Sequence, residues 1–255
     1  MGAMARRPAP DSPALFPAGP TDRMEKRARR NGAAIVAGVD EAGRGPLAGP
    51  VVVAAVVFDG KAPKGIDDSK KLAAPDRERL CDLILEKAHV SVVVASRERI
   101  DRMNILRASL WGMSRAVAGL PLVPDHVFVD GNMLPPGLPC PAEAVVNGDQ
   151  LVLSIAAASI VAKVTRDRLM DAIGRAFPSY GFGEHKGYST AAHVAALKAH
   201  GACIHHRRSF MPVRIALGLE PVQGDLFASG TVGDPVGAGT PPPADRAVGG
   251  LDQRP

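Results

Sequence analysis

The chain has 255 residues, 46% hydrophobic and 22% charged, with a formal net charge of +5 and a pI near 9.3. The three cysteines (Cys81, Cys140, Cys203) are odd in number, far apart and in no CxxC pair, which excludes a disulfide framework or a cysteine zinc site and fits a reducing cytoplasm. No apolar run reaches ~18 residues without a charge, so no transmembrane helix is predicted, and the N-terminal arginines precede no apolar signal segment.

The composition is ordinarily globular, and the length suits one domain of about 180–200 residues with tails. Aromatics are scarce, so the core must be built from Ala, Val, Leu and Ile. The basic balance fits a polyanionic partner, although part of it is local, in Arg23, Lys26, Arg27, Arg29 and Arg30.

Residues 1–30, with many Pro, Ala and Arg and no apolar period, are predicted to be a disordered tail. The remainder, 31–220, reads as the one folded domain, and the Gly/Pro-rich stretch 221–255 reads as a second tail. Ala33–Val39 and Val51–Phe58 are short apolar runs consistent with buried strands. The short Gly/Pro link between them forbids a helical crossover and suggests an antiparallel hairpin. Pro75 opens a helix through His89, with Leu80, Leu83, Ile84 and Ala88 on one face. Val90–Ala95 is a strand, and Asn104–Leu120 a helix. Val127–Val129 and Ala144–Val146 are short strands, Leu151–Ala176 a long helix, and Ala191–Ala199 a further helix. An antiparallel meander followed by alternating strands and helices predicts an α/β layered fold around a mixed sheet.

The chemistry concentrates in Gly38–Pro50, GVDEAGRGPLAGP. Asp40 and Glu41 close an apolar run, and Gly43-Arg44-Gly45 follows. Adjacent strand side chains face opposite ways, so two carboxylates serving one site require the strand to end or bulge there. Glycines let backbone N–H groups approach a ligand closely. Paired carboxylates beside such a loop suit a hard divalent cation next to a phosphate or ribose. Three further acids stand out: Asp130 at a strand end before Gly131, Asp149 before the long helix, and Asp167 inside it. Each alone has a plain reading, as turn former, helix cap and surface ion pair respectively.

Together, the order GVDEAGRGPLAGP, then VDG, then GD, then AAASIVAKVTRD resembles the type 2 ribonucleases H, the bacterial ribonuclease HII family, from about Ile35 to about Leu217. The resemblance implies the ribonuclease H-like fold, a mixed central sheet flanked by helices with a C-terminal helical region. It implies a metal site of Asp40, Glu41, Asp130 and Asp149, with Asp167 as a helper; which of Asp149 and Asp167 is the fourth direct ligand stays open. Two Mg²⁺ or Mn²⁺ ions would serve phosphodiester hydrolysis there. Gly43, Arg44 and Gly45 would contact a 2′-hydroxyl and its phosphate, and Tyr188, in HKGYST, would stack under the sugar. Lys70, in DSKKL, would contact backbone phosphate, with Lys163 and the Arg207–Phe210 segment as weaker candidates. His205 and His206 read as structural or surface residues.

The activity implied is a cytoplasmic, monomeric endoribonuclease. It cuts the RNA strand of RNA:DNA hybrids and nicks 5′ of ribonucleotides embedded in duplex DNA, leaving 3′-hydroxyl and 5′-phosphate ends, in ribonucleotide excision and primer removal. Gln223, Asp225, Leu226 and Phe227 (QGDLF) resemble the short peptide with which bacterial replication proteins bind the sliding clamp. Two alternatives remain at this level: a junction resolvase-like metal nuclease on the same fold, which has no use for a 2′-hydroxyl sensor, and a hybrid-binding module without catalysis.

Overall fold

The computed structural model describes residues 19–219; the QGDLF segment lies outside them. Strands β1 (Val36–Ala42), β2 (Val51–Phe58), β3 (Ala88–Ala95), β4 (His126–Asp130) and β5 (Ala142–Val145) form one mixed sheet in the order β3-β2-β1-β4-β5. β1, β2 and β3 pair antiparallel, and β1, β4 and β5 pair parallel. The predicted hairpin and layered architecture are both present.

β2 explains why this sequence makes this sheet. Its VVVAAVVF run is buried almost throughout because both sheet faces are covered, so apolar residues run on instead of alternating. Val51, Val53, Ala55 and Val57 face one core cluster, shared with α4 (Ile105–Ala118). Val52, Ala54 and Val56 face the other, shared with α2 (Ala74–Lys87) and the 24-residue helix α6 (Leu153–Ala176). Each fully buried valine contributes on the order of 1.5–3 kcal/mol. α6 lies directly on β1 because Gly38 has no side chain: a β-carbon there would fall 2.2 Å from the Ser154 carbonyl carbon.

Several boundaries differ from the sequence reading. β1 extends past Val39 to Ala42 in regular register with β2, without a bulge. Its parallel ladder with β4 stops at Val39↔Val129, which frees one flank of the strand at the two carboxylates. α2 ends at Lys87, two residues early, because β3 already begins at Ala88. The helix predicted over Asn104–Leu120 is preceded by a separate α3 (Arg97–Met103). Asn104, with φ 67°, breaks the two helices apart and caps the second through its side-chain oxygen. A short α5 (Gly148–Leu151) precedes α6.

Part of the predicted N-terminal tail is helical: α1 spans Arg23–Arg30. Its buried Glu25 accepts hydrogen bonds from both the amide and the hydroxyl of Ser154, each 2.8 Å, and so caps α6 from outside that helix. After α6, a 3₁₀ turn (Pro178–Tyr180), α7 (Phe182–His185), α8 (Ala191–His200) and α9 (Met211–Ala216) form the C-terminal helical region. Leu47 and Ala48, just beyond the Gly-Arg-Gly loop, are buried in two clusters of that region. Among the described residues no helix is long and apolar enough to cross a membrane.

Candidate active site

The parallel ladder between β1 and β4 stops at the C-terminal end of β4, the kind of place where α/β sheets commonly bind ligands. Val39 pairs with Val129, so the next residues, Asp40 and Asp130, emerge side by side. Asp40 is on the α6 face and is buried. Its Oδ1 accepts the Glu41 amide at 2.7 Å, and the Ser159 hydroxyl of α6 also serves it. Glu41 leaves the opposite face, with Oε1 3.4 Å from Arg44 Nη1 and Oε2 buried without a hydrogen-bond partner. The strand neither ends nor bulges; both carboxylates reach the site because each leaves a different face at an open corner of the sheet.

Asp149 arrives on α5. Asn147 adopts the left-handed conformation (φ 55°), which asparagine tolerates, and turns the chain so that the Gly148 amide donates to Asp130 Oδ1 at 2.7 Å. Lys70 completes the group. The Asp68 side chain accepts the Lys70 amide at 3.0 Å, and the Arg77 guanidinium holds the Ser69 and Leu72 carbonyls at 2.8 and 2.7 Å. That turn delivers Lys70 Nζ to 3.0 Å from Asp149 Oδ2.

The electrostatics follow from crowding. Burial first, then Glu41 and Asp130, push the Asp40 carboxyl well above the usual range. Burial and Asp130 raise Glu41 against the opposing pull of Arg44. Burial and Asp149 raise Asp130. Burial works against the Lys70 charge, but Asp149, Asp68 and Asp40 outweigh it and hold the ammonium protonated. The site is thus a carboxylate cluster short of positive charge, with Lys70 on Asp149 and Arg44 on Glu41 as its counter-ions.

Among the described residues no three His, Cys, Asp or Glu side chains are already gathered around a common ion position. The donor set nevertheless fits a hard divalent cation: all oxygens, mutually repelling, with one buried carboxylate oxygen left over. Asp167, on α6, pairs with Lys163 one helical turn earlier, at 2.8 Å. Lys163 is accordingly occupied by that carboxylate. Ser159 and Ser69, whose hydroxyls meet at 2.9 Å beneath Asp40, were not singled out from the sequence. Serines in an Ala-rich helix and a polar turn carry no pattern of their own.

The Gly-Arg-Gly loop and the HKGYST segment meet. A β-carbon on Gly45 would fall 3.8 Å from Tyr188 Cε1, and the Leu47 amide donates to the Gly187 carbonyl at 2.8 Å. Tyr188 is 45% exposed, so its ring is free to take a ligand. Behind it lies a chain of imidazoles whose partners fix the tautomers. The Cys203 amide donates to His206 Nδ1 at 3.0 Å, so His206 Nε2 carries the proton. It donates to His193 Nε2, also 3.0 Å away, and His193 Nδ1 donates to the Tyr188 carbonyl at 2.9 Å. His206 is fully buried and structural, as the sequence reading allowed. Arg207 is a correction: it is fully buried and bonded to main-chain carbonyls, so it is no phosphate contact.

This chain must stay neutral, and stability should record it. Burial, then the neighbouring His193, push His206 down to about 4, and burial lowers His193 as well. Between about 4 and the ordinary value of 6.5 the unfolded chain takes a proton at His206 that the folded chain refuses. Stability therefore falls with decreasing pH across that window, by at most about 1.4 kcal/mol per pH unit for each such group. The raised carboxyls of Asp40, Glu41 and Asp130 act in the opposite sense, so the test is a difference between proteins. In denaturant melts taken from pH 7 to pH 5, the stability change should be less favourable in the wild type than in His206→Gln, and equal changes in both would refute it.

A family model described as Ribonuclease HII matches residues 37–213. The ribonuclease HII of Xanthobacter autotrophicus is 58% identical over 204 residues, 79% of this chain and 82% of that one. That of Azorhizobium caulinodans is 60% identical over 198 residues, covering 77% and 76%. Among solved structures, ribonuclease H2 from Pyrococcus horikoshii superposes with a TM-score of 0.61 at 30% identity over 71% of this chain and 96% of that chain. The ribonuclease HII in a PCNA complex from Archaeoglobus fulgidus gives 0.54 at 28%, over 73% and 91%. With the family model covering more than half of the chain and relatives this similar spanning most of their own length, the chain belongs to the ribonuclease HII family.

Proposed function

We propose that this protein hydrolyses the RNA strand of RNA:DNA hybrids and nicks duplex DNA on the 5′ side of an embedded ribonucleotide, at the corner where β1, β4 and α5 meet. One observation supports the reading: Asp40 and Glu41 on β1, Asp130 at the adjacent end of β4, and Asp149 beside the Gly148 amide that donates to Asp130 crowd one corner of the sheet, next to a bare-backbone loop and an exposed tyrosine.

Asp40, Glu41, Asp130 and Asp149 would hold two divalent ions, Mg²⁺ or Mn²⁺. Bound there, such ions supply a water acidic enough to attack phosphorus and a positive charge for the departing oxygen. The rest falls to the chain. The Asp130–Gly148 hydrogen bond fixes one carboxylate orientation. Lys70, its side chain 76% exposed, can turn from Asp149 to a substrate phosphate. Tyr188 offers a flat face to a sugar while the Arg44 and Gly45 amides meet its 2′-hydroxyl. Asp167 acts from the second layer, through its pairing with Lys163. The junction resolvase reading gives no purpose to a tyrosine ring set beside Gly45.

The C-terminal QGDLF segment would bind a sliding clamp by its Leu226 and Phe227 anchors; a family relative from Archaeoglobus fulgidus was solved with PCNA. The catalytic reading is tested with a hybrid labelled on its RNA strand. Cleavage with Mg²⁺ or Mn²⁺, abolished by EDTA, with 3′-hydroxyl and 5′-phosphate products, is expected. An intact RNA strand under every metal condition would refute it.

A further inference from the structure

Arg207 and Arg166 are among the largest fully buried side chains, and the chemistry above uses neither. A buried cation is costly unless it is paired. Here the hydrogen bonds of both guanidiniums go to main-chain carbonyls, all of them in one loop. Arg207 Nη2 donates to the Gly43 carbonyl at 2.6 Å and to the Pro50 carbonyl at 3.2 Å. Its Nη1 donates to Arg44 O at 2.8 Å and its Nε to Gly49 O at 3.0 Å. Arg166 donates to Pro50 O and Ala48 O at 3.0 and 3.2 Å.

What this grip does follows from peptide geometry. In a planar trans peptide the C=O and the next N–H point in opposite directions. Pulling the Gly43 carbonyl inward therefore turns the Arg44 amide outward, and pulling the Arg44 carbonyl inward turns the Gly45 amide outward. These two residues lie between Glu41, whose Oε1 is 3.4 Å from the Arg44 guanidinium, and the Tyr188 ring, 3.8 Å from where a Gly45 β-carbon would fall. Arg207 also anchors the second half of the site. Its own amide donates to Leu47 O at 2.8 Å, and it follows His206, the start of the imidazole chain that ends on the Tyr188 carbonyl.

We propose that Arg207 is a positioning residue for ribose discrimination, gripping the Gly43 and Arg44 carbonyls so that the Arg44 and Gly45 amides face the 2′-hydroxyl in one rigid body with Tyr188. This rests on the reading that the loop and Tyr188 receive the ribonucleotide. Arg207 touches no substrate; it acts through the loop.

The test is Arg207→Lys, which keeps the charge but replaces a fork of donors with a single point. Two readouts are taken on the full chain. Without metal, the affinity for a duplex carrying one ribonucleotide is compared with that for its all-DNA counterpart. With Mn²⁺, kcat and KM are measured for the ribonucleotide duplex. The variant is expected to lose the ribo-over-deoxy preference and at least tenfold in kcat, while all-DNA binding stays within twofold. A merely structural role would weaken both duplexes alike or neither. If Arg207→Lys does not fold, His206→Gln decides. It keeps a donor toward His193 but moves its acceptor away from the ring-nitrogen position that holds the Cys203 amide, loosening the segment that carries Arg207, and the same loss of preference is expected. Preference and kcat within twofold of wild type in the folded variant would overturn the proposal. Wild-type protein that neither prefers nor cuts the ribonucleotide duplex would instead sink the functional reading, and the inference with it.

Discussion

Asp130→Asn is expected to abolish cleavage, by at least ~1,000-fold, because a metal-assisted site supplies several kcal/mol of transition-state stabilisation and each ~1.4 kcal/mol is tenfold in rate. The same substitution should raise the thermal midpoint measured in EDTA. Burial and the Asp149 charge hold the Asp130 carboxyl above its ordinary range, so the ionised form is penalised in the folded state. The sign is that of a raised acid: relative to the unfolded chain, stability is lost as pH rises through the folded value, and at neutral pH the neutral amide escapes that penalty. Asparagine also keeps an oxygen for the Gly148 amide, 2.7 Å away in the native protein. Calorimetry and single-turnover cleavage on the same preparation check both halves. Loss of activity accompanied by a lower midpoint would mean that Asp130 is a structural acid and not a member of a strained metal site.

The second large effect belongs to Gly43→Ala. Gly43 has φ +98°, outside the range L side chains accept, and a β-carbon there would fall 2.0 Å from Arg166 Nε. The loop must move, or the buried guanidinium must. Backbone strain of this kind costs about 1–3 kcal/mol, and a shift of about 1 Å in a positioning group lowers rate on the order of 100-fold. Both losses are expected together. Gly45→Ala is the contrast: its β-carbon would meet only Tyr188 Cε1, at an ordinary 3.8 Å. It should retain wild-type stability and lose ribonucleotide cleavage alone. A Gly43→Ala protein with wild-type melting and wild-type rate would contradict the close packing of loop and guanidinium.

How much of this was legible in the chain differs by residue. β2 was readable end to end, because a strand covered on both faces writes itself as unbroken Val and Ala. α6 was readable from its Ala-rich first half, off by two residues only because Val152 is extended and bridges to Thr21. Helix α1 was not. Its sequence, RMEKRARR, shows no apolar stripe, and it is held by Met24 and Ala28 in one small cluster and by Glu25 reaching Ser154, a partner 129 residues away. Asp40, Glu41, Asp130 and Asp149 were found as motifs, yet nothing local said how two adjacent strand residues reach one site. The answer is the early end of the β1–β4 ladder, which is tertiary. Arg207 was misread because an arginine in a basic run is ordinarily solvated. It is buried here by carbonyls more than 150 residues earlier in the chain.

The carboxylate corner and the Gly45–Tyr188 pair are proposed to act together, as a metal-dependent cutter that requires a ribose. The most direct measurement compares two duplexes identical except for one 2′-hydroxyl, incubated with the full-length protein and Mn²⁺ and resolved at single-nucleotide length. One cut, 5′ to the ribonucleotide, and an uncut all-DNA duplex are expected. Equal cutting of both, or a cut whose position ignores the ribonucleotide, would contradict this proposal.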